Sequence, residues 1–165
     1  MLGRMISLGI ILGSLPAMVA AQAAVHIEKS HLDGPRALAP QTAQAVIRDY
    51  LQSWKAMRAA LEQNQPGLLS ADFVGTAKDK LIGTVHEQNA AGIRTRYRDR
   101  AHDLQIVFYS PEGLSIELTD TVDYDVQVFD HDKLLTSQPV HAHYLIMMTP
   151  SEVRWRVRVM QAGNP

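Results

Sequence analysis

The fold is decided by residues 103–161, DLQIVFYSPEGLSIELTDTVDYDVQVFDHDKLLTSQPVHAHYLIMMTPSEVRWRVRVMQ. Apolar and polar side chains alternate along most of it, and turn-forming residues gather at three corners, which predicts a four-strand antiparallel meander. The first corner is Ser110-Pro111-Glu112-Gly113-Leu114. Pro presets φ there, and Gly supplies the left-handed residue of a bulged hairpin. That turn puts Leu104, Ile106 and Phe108 on one face with Ile116, Leu118 and Val122. Leu114, Tyr124, Val126 and Val128 continue this face, while Ser115, Glu117, Thr119, Thr121, Asp123, Asp125 and Gln127 take the other. One face of such a sheet is buried and one is wet.

The second corner, Asp130-His131-Asp132-Lys133, leads to a strand with Val140, Ala142, Tyr144, Ile146 and Met148 on the core side. His141, His143, Leu145 and Met147 face the other way. The third corner is Thr149-Pro150-Ser151-Glu152, with Pro at the first central position of a tight turn. In the last strand Val153, Trp155, Val157 and Val159 alternate with Arg154, Arg156 and Arg158. A one-residue slip would bury the arginines, so the register is strongly specified. Pairing through these corners predicts one row of Leu118, Ile146 and Trp155, and a next row of Asp120, Tyr144 and Val157.

The chain has 165 residues, a formal net charge of −1 and no cysteine. That is room for one core. The charge gives no reason to expect a nucleic-acid partner. The missing cysteine excludes disulfides, thiolate zinc sites and a cysteine nucleophile. Residues 1–23 read as a secretory signal peptide: Arg4 starts it, Met5 to Leu15 is a short apolar run, and Ala21-Gln22-Ala23 is a small-x-small cleavage site. The mature protein is expected to be periplasmic or secreted, with no membrane span after cleavage near Ala23.

Residues 24–40, with Gly34, Pro35 and Pro40, read as a flexible tether. A helix is expected over residues 41–64, because Ala43, Val46, Ile47, Tyr50, Leu51, Trp54, Met57 and Leu61 make one apolar stripe at three-four spacing. Arg48, Asp49, Gln52, Lys55, Arg58 and Glu62 fill its other face. A short helical turn over residues 68–74 and a helix over residues 76–91, capped by Gly92, follow. Arg94, Arg96, Arg98 and Arg100 then alternate into the first strand. They read as a charged edge that resists aggregation, with an anion- or partner-binding rim as the functional alternative.

Helices followed by a four-strand meander ending in a Trp155-Arg156-Val157 strand resemble the NTF2-like superfamily, over residues 41–162. The resemblance is closest to its SnoaL-like, reduced helix-rich branches, because residues 72–76 leave little room for a strand between helices. It implies an α+β cone, with N-terminal helices closed over a curved four-strand sheet and a pocket on the concave face. The superfamily holds isomerases, dehydratases, cyclases and association modules, so the fold does not choose an activity.

In such a cone Asp120 interrupts the apolar face, with Tyr144 opposite and His102 diagonal to it. Desolvation would raise the pKa of a carboxylate there unless a partner held its charge. Asp120, Tyr144 and His102 are therefore the candidate catalytic residues for proton transfer. The structural alternative is an aspartate at a bulge or capping a backbone group. Tyr50, Trp54, Leu118, Asp120, Tyr144 and Trp155 are the expected pocket lining, for an apolar small molecule. His141 and His143 are candidate metal ligands by their i, i+2 spacing, but a site needs further ligands, and the alternative is a polar outer face. No cofactor is expected. The outer face, with Leu145 and Met147 between charged residues, is a candidate homodimer surface. The leading expectation is a non-catalytic binding or interaction domain; the alternative is a small-molecule isomerase, dehydratase or hydrolase.

Overall fold

A computed structural model describes residues 22–30, 32 and 36–163. The segment read as a signal peptide, residues 1–23, lies outside them but for Gln22 and Ala23, which form no regular element. The elements are β1 (Ala24–Ile27), α1 (Pro40–Gln63), a 3-10 turn (Pro66–Leu69), α2 (Gly75–Ala90), β2 (Ile93–Tyr109), β3 (Ile116–Asp130), β4 (Lys133–Pro150) and β5 (Trp155–Ala162). They form an α+β fold with a five-stranded sheet in the order β1-β2-β3-β4-β5. The meander β2 to β5 is antiparallel, as its alternation requires.

Pro40 opens α1, where its missing N–H costs nothing. The helix ends at Asn64, which adopts the left-handed conformation and donates its backbone N–H to Ala60 O. Its apolar stripe buries Val46, Ile47, Tyr50, Trp54, Met57 and Leu61 against the sheet's inner face. From the sheet come Leu104, Ile106, Ile116, Leu118, Val122, Ile146, Met148 and Val157. The far edge of β5 is closed by the chain before α2: Val74 N–H donates to Val157 O at 2.9 Å, and Val157 N–H to Asp72 O at 2.9 Å.

Several expectations need correction. The stretch read as a tether contributes a strand: β1 pairs in parallel with residues 101–104 of β2, so the sheet has five strands rather than four. A bulge between Ile106 and Phe108 turns Phe108 outward and puts Tyr109 in the core. At the third corner, residues 151–154 form the turn, closed by Ser151 N–H donating to Arg154 O at 2.8 Å. β5 therefore starts later than its alternation suggested, and Val153 is 82% exposed. A bulge at Met147 and Met148 shifts the pairing again. The row with Leu118 and Ile146 ends on Met160 rather than Trp155, and the row with Asp120 and Tyr144 ends on Ala162 rather than Val157. Trp155 lies opposite Pro150, at the other end of the strand pair.

Asp49 also departs from its expected place on the polar side of α1. It is buried, accepts the Trp155 backbone N–H on Oδ2 at 2.9 Å, and holds Arg48 Nε on Oδ1 at 3.0 Å. The carboxylate thus fixes the start of β5 to the helix. Asp49→Ala leaves a half-buried backbone donor without its partner, which costs about 1 kcal/mol. We expect a lower urea midpoint with an unchanged m-value; an unchanged midpoint would show that the contact carries no stability.

Candidate functional site

Strand parity brings Asp120 onto the core face, between Leu118 and Val122, with 0% of its surface exposed. Leu104 lies opposite it on β2 and Tyr144 opposite it on β4. A carboxylate in such a place needs donors, and two reach it. Tyr50, from the middle of α1, donates its hydroxyl to Asp120 Oδ2 at 2.6 Å, and His102 Nδ1 lies 2.7 Å from the same oxygen. His102 occupies the diagonal position on β2, opposite Val122. Its other nitrogen, Nε2, lies 3.9 Å from Asp99 Oδ2, which also pairs with Arg58 Nη1 of α1. A chain of side chains therefore runs Tyr50, Asp120, His102, Asp99, Arg58 through the interior.

The chain is electrostatically self-contained. Burial works against a charge on His102, but its hydrogen bond to Asp120 and the nearby Asp99 carboxylate overcome it and push its pKa up to about 9. His102 is thus an imidazolium at neutral pH. Burial likewise opposes the Asp99 charge, yet the nearby His102 and Trp54 N–H groups and the Arg58 guanidinium hold its pKa below the usual value. The Trp54 indole N–H and Asp99 Oδ1 have no well-aligned hydrogen bond, so Trp54 acts on Asp99 through its dipole. Desolvation, with Asp120 beside it, raises the Tyr50 pKa well above that of a free phenol. Burial raises Tyr97 and Tyr124 too, so these hydroxyls stay protonated at neutral pH.

Trp54 stands over this chain as the hub of an aromatic cluster. Its ring centroid lies 5.2 Å from His102, 5.7 Å from Tyr144, 5.9 Å from Tyr124 and 6.4 Å from Tyr97. Tyr144 Oη is 3.0 Å from Tyr124 Oη. The structure thus gives Asp120 the partner Tyr50, where the sequence had offered Tyr144. Tyr97, Val126, Val140, Ala142 and Tyr144 are half-buried and pack on the core from the inner face. They form an apolar floor where the cluster meets solvent.

Among the other sequence candidates, Leu118 is plain core and Trp155 packs against Tyr109 at 6.5 Å between centroids, away from Asp120. His141 and His143 do face outward, but each has its own partner: His141 Nδ1 is 2.8 Å from Asp123 Oδ1, and His143 Nδ1 is 3.0 Å from Thr121 Oγ1. Among the described residues no group of three or more His, Asp or Glu is placed to hold a metal ion. A cleft of about 360 Å³ beside His141 is lined by β1 and by Ala101, His102, Asp103, Thr121, Asp123 and His141. Sequence reasoning missed Tyr50 as the partner of Asp120, and missed Asp99 and Arg58. The parity of Asp99 with Thr95 and Tyr97 was the available signal.

No protein-family model matches the chain, and no curated protein sequence matches it. Solved structures do match it. The intermembrane space region of the chloroplast protein ARC6 superposes with a TM-score of 0.62 at 12% identity, over 79% of this chain and 100% of that one. A putative scytalone dehydratase from Novosphingobium aromaticivorans gives 0.51 at 12% identity, over 76% and 89%. Aln2 from a Streptomyces species gives 0.51 at 11% identity, over 78% and 94%. The architecture is an α+β cone of curved sheet and covering helices. It is the NTF2-like fold.

Proposed function

We propose that this chain is an exported, non-catalytic binding domain that takes a small apolar or aromatic molecule on the floor formed by Tyr97, Val126, Val140, Ala142 and Tyr144. One observation carries this. Asp120 has no exposed surface: its Oδ2 already accepts from Tyr50 and His102, and its unpartnered Oδ1 is sealed in the interior, so the carboxylate is not presented to a ligand. What it does offer is half-buried aromatic and aliphatic surface, which binds by area and shape. Export is supported by the small-x-small segment at residues 21–23. The wet sheet face, where Leu145 is 40% exposed, is the surface for a homodimer. A monomer by sedimentation at high concentration removes that part.

Trp54 reports the floor directly, being edge-on to Tyr144. The chain has two tryptophans, so Trp155→Phe leaves Trp54 as the only one. We expect aromatic ligands to change its emission saturably, with affinity falling about tenfold in Tyr144→Ala, worth roughly 1.4 kcal/mol. Emission unmoved by every ligand, or affinity equal in both proteins, defeats the reading.

A second reading is favoured by the His102–Asp120 pair at 2.7 Å and by the putative dehydratase among the structural neighbours. Here Asp120 and His102, with Tyr144 nearby, move a proton on a small carbonyl substrate once the cone opens. Water loss from hydroxy-ketones that vanishes in Asp120→Asn is its signature. Turnover absent from the wild type, or retained in that variant, removes it.

A further inference from the structure

The two edges of the sheet are treated differently. The β5 edge is closed by residues 72–74, whereas β1 covers only residues 101–104 of the much longer β2. Upstream of that, the edge is tied at its far end, where Asn64 Nδ2 donates to Ile93 O at 2.9 Å. Past the other end of β1, downstream of this open run, Glu28 N–H donates to Leu104 O at 2.8 Å. In an antiparallel ladder alternate residues direct both backbone groups to the same side. With the Ile93 carbonyl turned from β3, Thr95 and Tyr97 turn theirs outward as well. Neither has a backbone partner on that side among the described residues. β1 itself demonstrates that this edge accepts a strand.

The side chains beside that open run are cationic. Arg94, Arg96 and Arg98 lie on the wet face, and Arg100 follows at a bulge. Arg94 and Arg96 are laid over the Phe129 ring, at 5.1 and 4.9 Å from its centroid. Their acids are exchangeable. Arg94 pairs with Asp132, which is fully exposed, Arg96 with the part-exposed Glu62, and Arg100 with Asp125 at a loose 3.5 Å. Such surface pairs are worth little. Arg98 has no acidic partner among the described residues and is exposed. A strand laid along this edge would set every second side chain beside these arginines.

We propose that residues 93–100 form a strand-addition site for an extended acidic segment of a partner protein, with carboxylates at alternate positions. Backbone hydrogen bonds to Thr95 and Tyr97 supply the docking, and the arginines select the charge. This goes beyond the small-molecule reading and does not depend on it, because the edge and the cone floor are read by different probes.

The test uses a labelled alternating Glu–Val octapeptide and fluorescence anisotropy on the mature protein. We expect saturable binding, weakened at least tenfold when one of the two alternate sets of amides is N-methylated and little changed when the other set is. The same loss is expected in Arg98→Glu, an exposed change that leaves the fold intact by circular dichroism. No saturable binding overturns the proposal. So does binding that survives N-methylation of both sets, which would mark the rim as a general polyanion surface for lipid or nucleic acid. Indifference to Arg98→Glu overturns it equally.

Discussion

Asp120→Ala is expected to remove about 3–5 kcal/mol of stability, the range for breaking a buried ion pair from one side, with a fall of roughly 10–20 °C in Tm. The reason is what stays behind. Tyr50 loses the acceptor for its hydroxyl, and His102 loses the nearer of its two carboxylates while remaining in the interior. The pH dependence separates this from simple loss of packing. His102 binds its proton with a pKa raised from 6.5 to about 9 in the folded state. Between those values the unfolded chain releases the proton and the folded one keeps it, so stability is full below about pH 6.5 and declines as pH rises through 9. In Asp120→Asn that decline should flatten, because the largest influence raising the His102 pKa is gone. Denaturation midpoints measured from pH 6 to 10 decide it. Equal slopes in wild type and variant would mean that the His102 proton is not linked to folding.

Much of this arrangement was legible in the sequence, and the parts that were not share a cause. The β3–β4 pairing was legible through core-face parity, although the two-residue turn His131-Asp132 alone would set Asp120 opposite His143, and a bulge between Val128 and Phe129 is what brings Tyr144 there. That pairing placed Asp120 inside and opposite Tyr144. The β4–β5 pairing failed because alternation constrains parity and not the position of the turn. Moving the turn to residues 151–154 left Arg154 and Arg156 half-buried, bonded to Asp72 and to the Ser70 and Phe73 carbonyls, and displaced Trp155 from its expected row. A bulge adds one residue and reverses parity beyond it, as at Phe108, and nothing in its local sequence announced it.

The buried network escaped for a different reason. Tyr50 and Asp120 are 70 residues apart, and Arg58 and Asp99 are 41 apart. Helical periodicity says which face of α1 goes inward, but not the height at which that face lands on the sheet. Arg58 was therefore assigned to solvent with its charged neighbours. Asp99 was hidden among the arginines around it, although its parity matched that of Tyr97.

Trp54→Ala should cost a comparable amount, about 3–5 kcal/mol for an aromatic truncated in a core, and its consequences should reach the cone floor. Edge-to-face partners each add about 0.5–1.5 kcal/mol beyond the area they bury, and Trp54 has three such contacts, to His102, Tyr124 and Tyr144. The space left would not stay dry, because Asp99 Oδ1 lies unpartnered in the same region and a water needs only such polar neighbours and room. Water there would screen the attraction that keeps the His102 proton in place. Trp54→Ala should therefore shift the alkaline loss of stability to lower pH, whereas Trp54→Phe, which excludes water, should keep it. Trp155→Ala is the control, since Trp155 is half-buried and its aromatic partner is Tyr109. If Trp54→Ala costs no more than that control and leaves the alkaline limb unmoved, the cluster is only filler. If it does both, the aromatic hub keeps the charged chain dry and thereby keeps it folded.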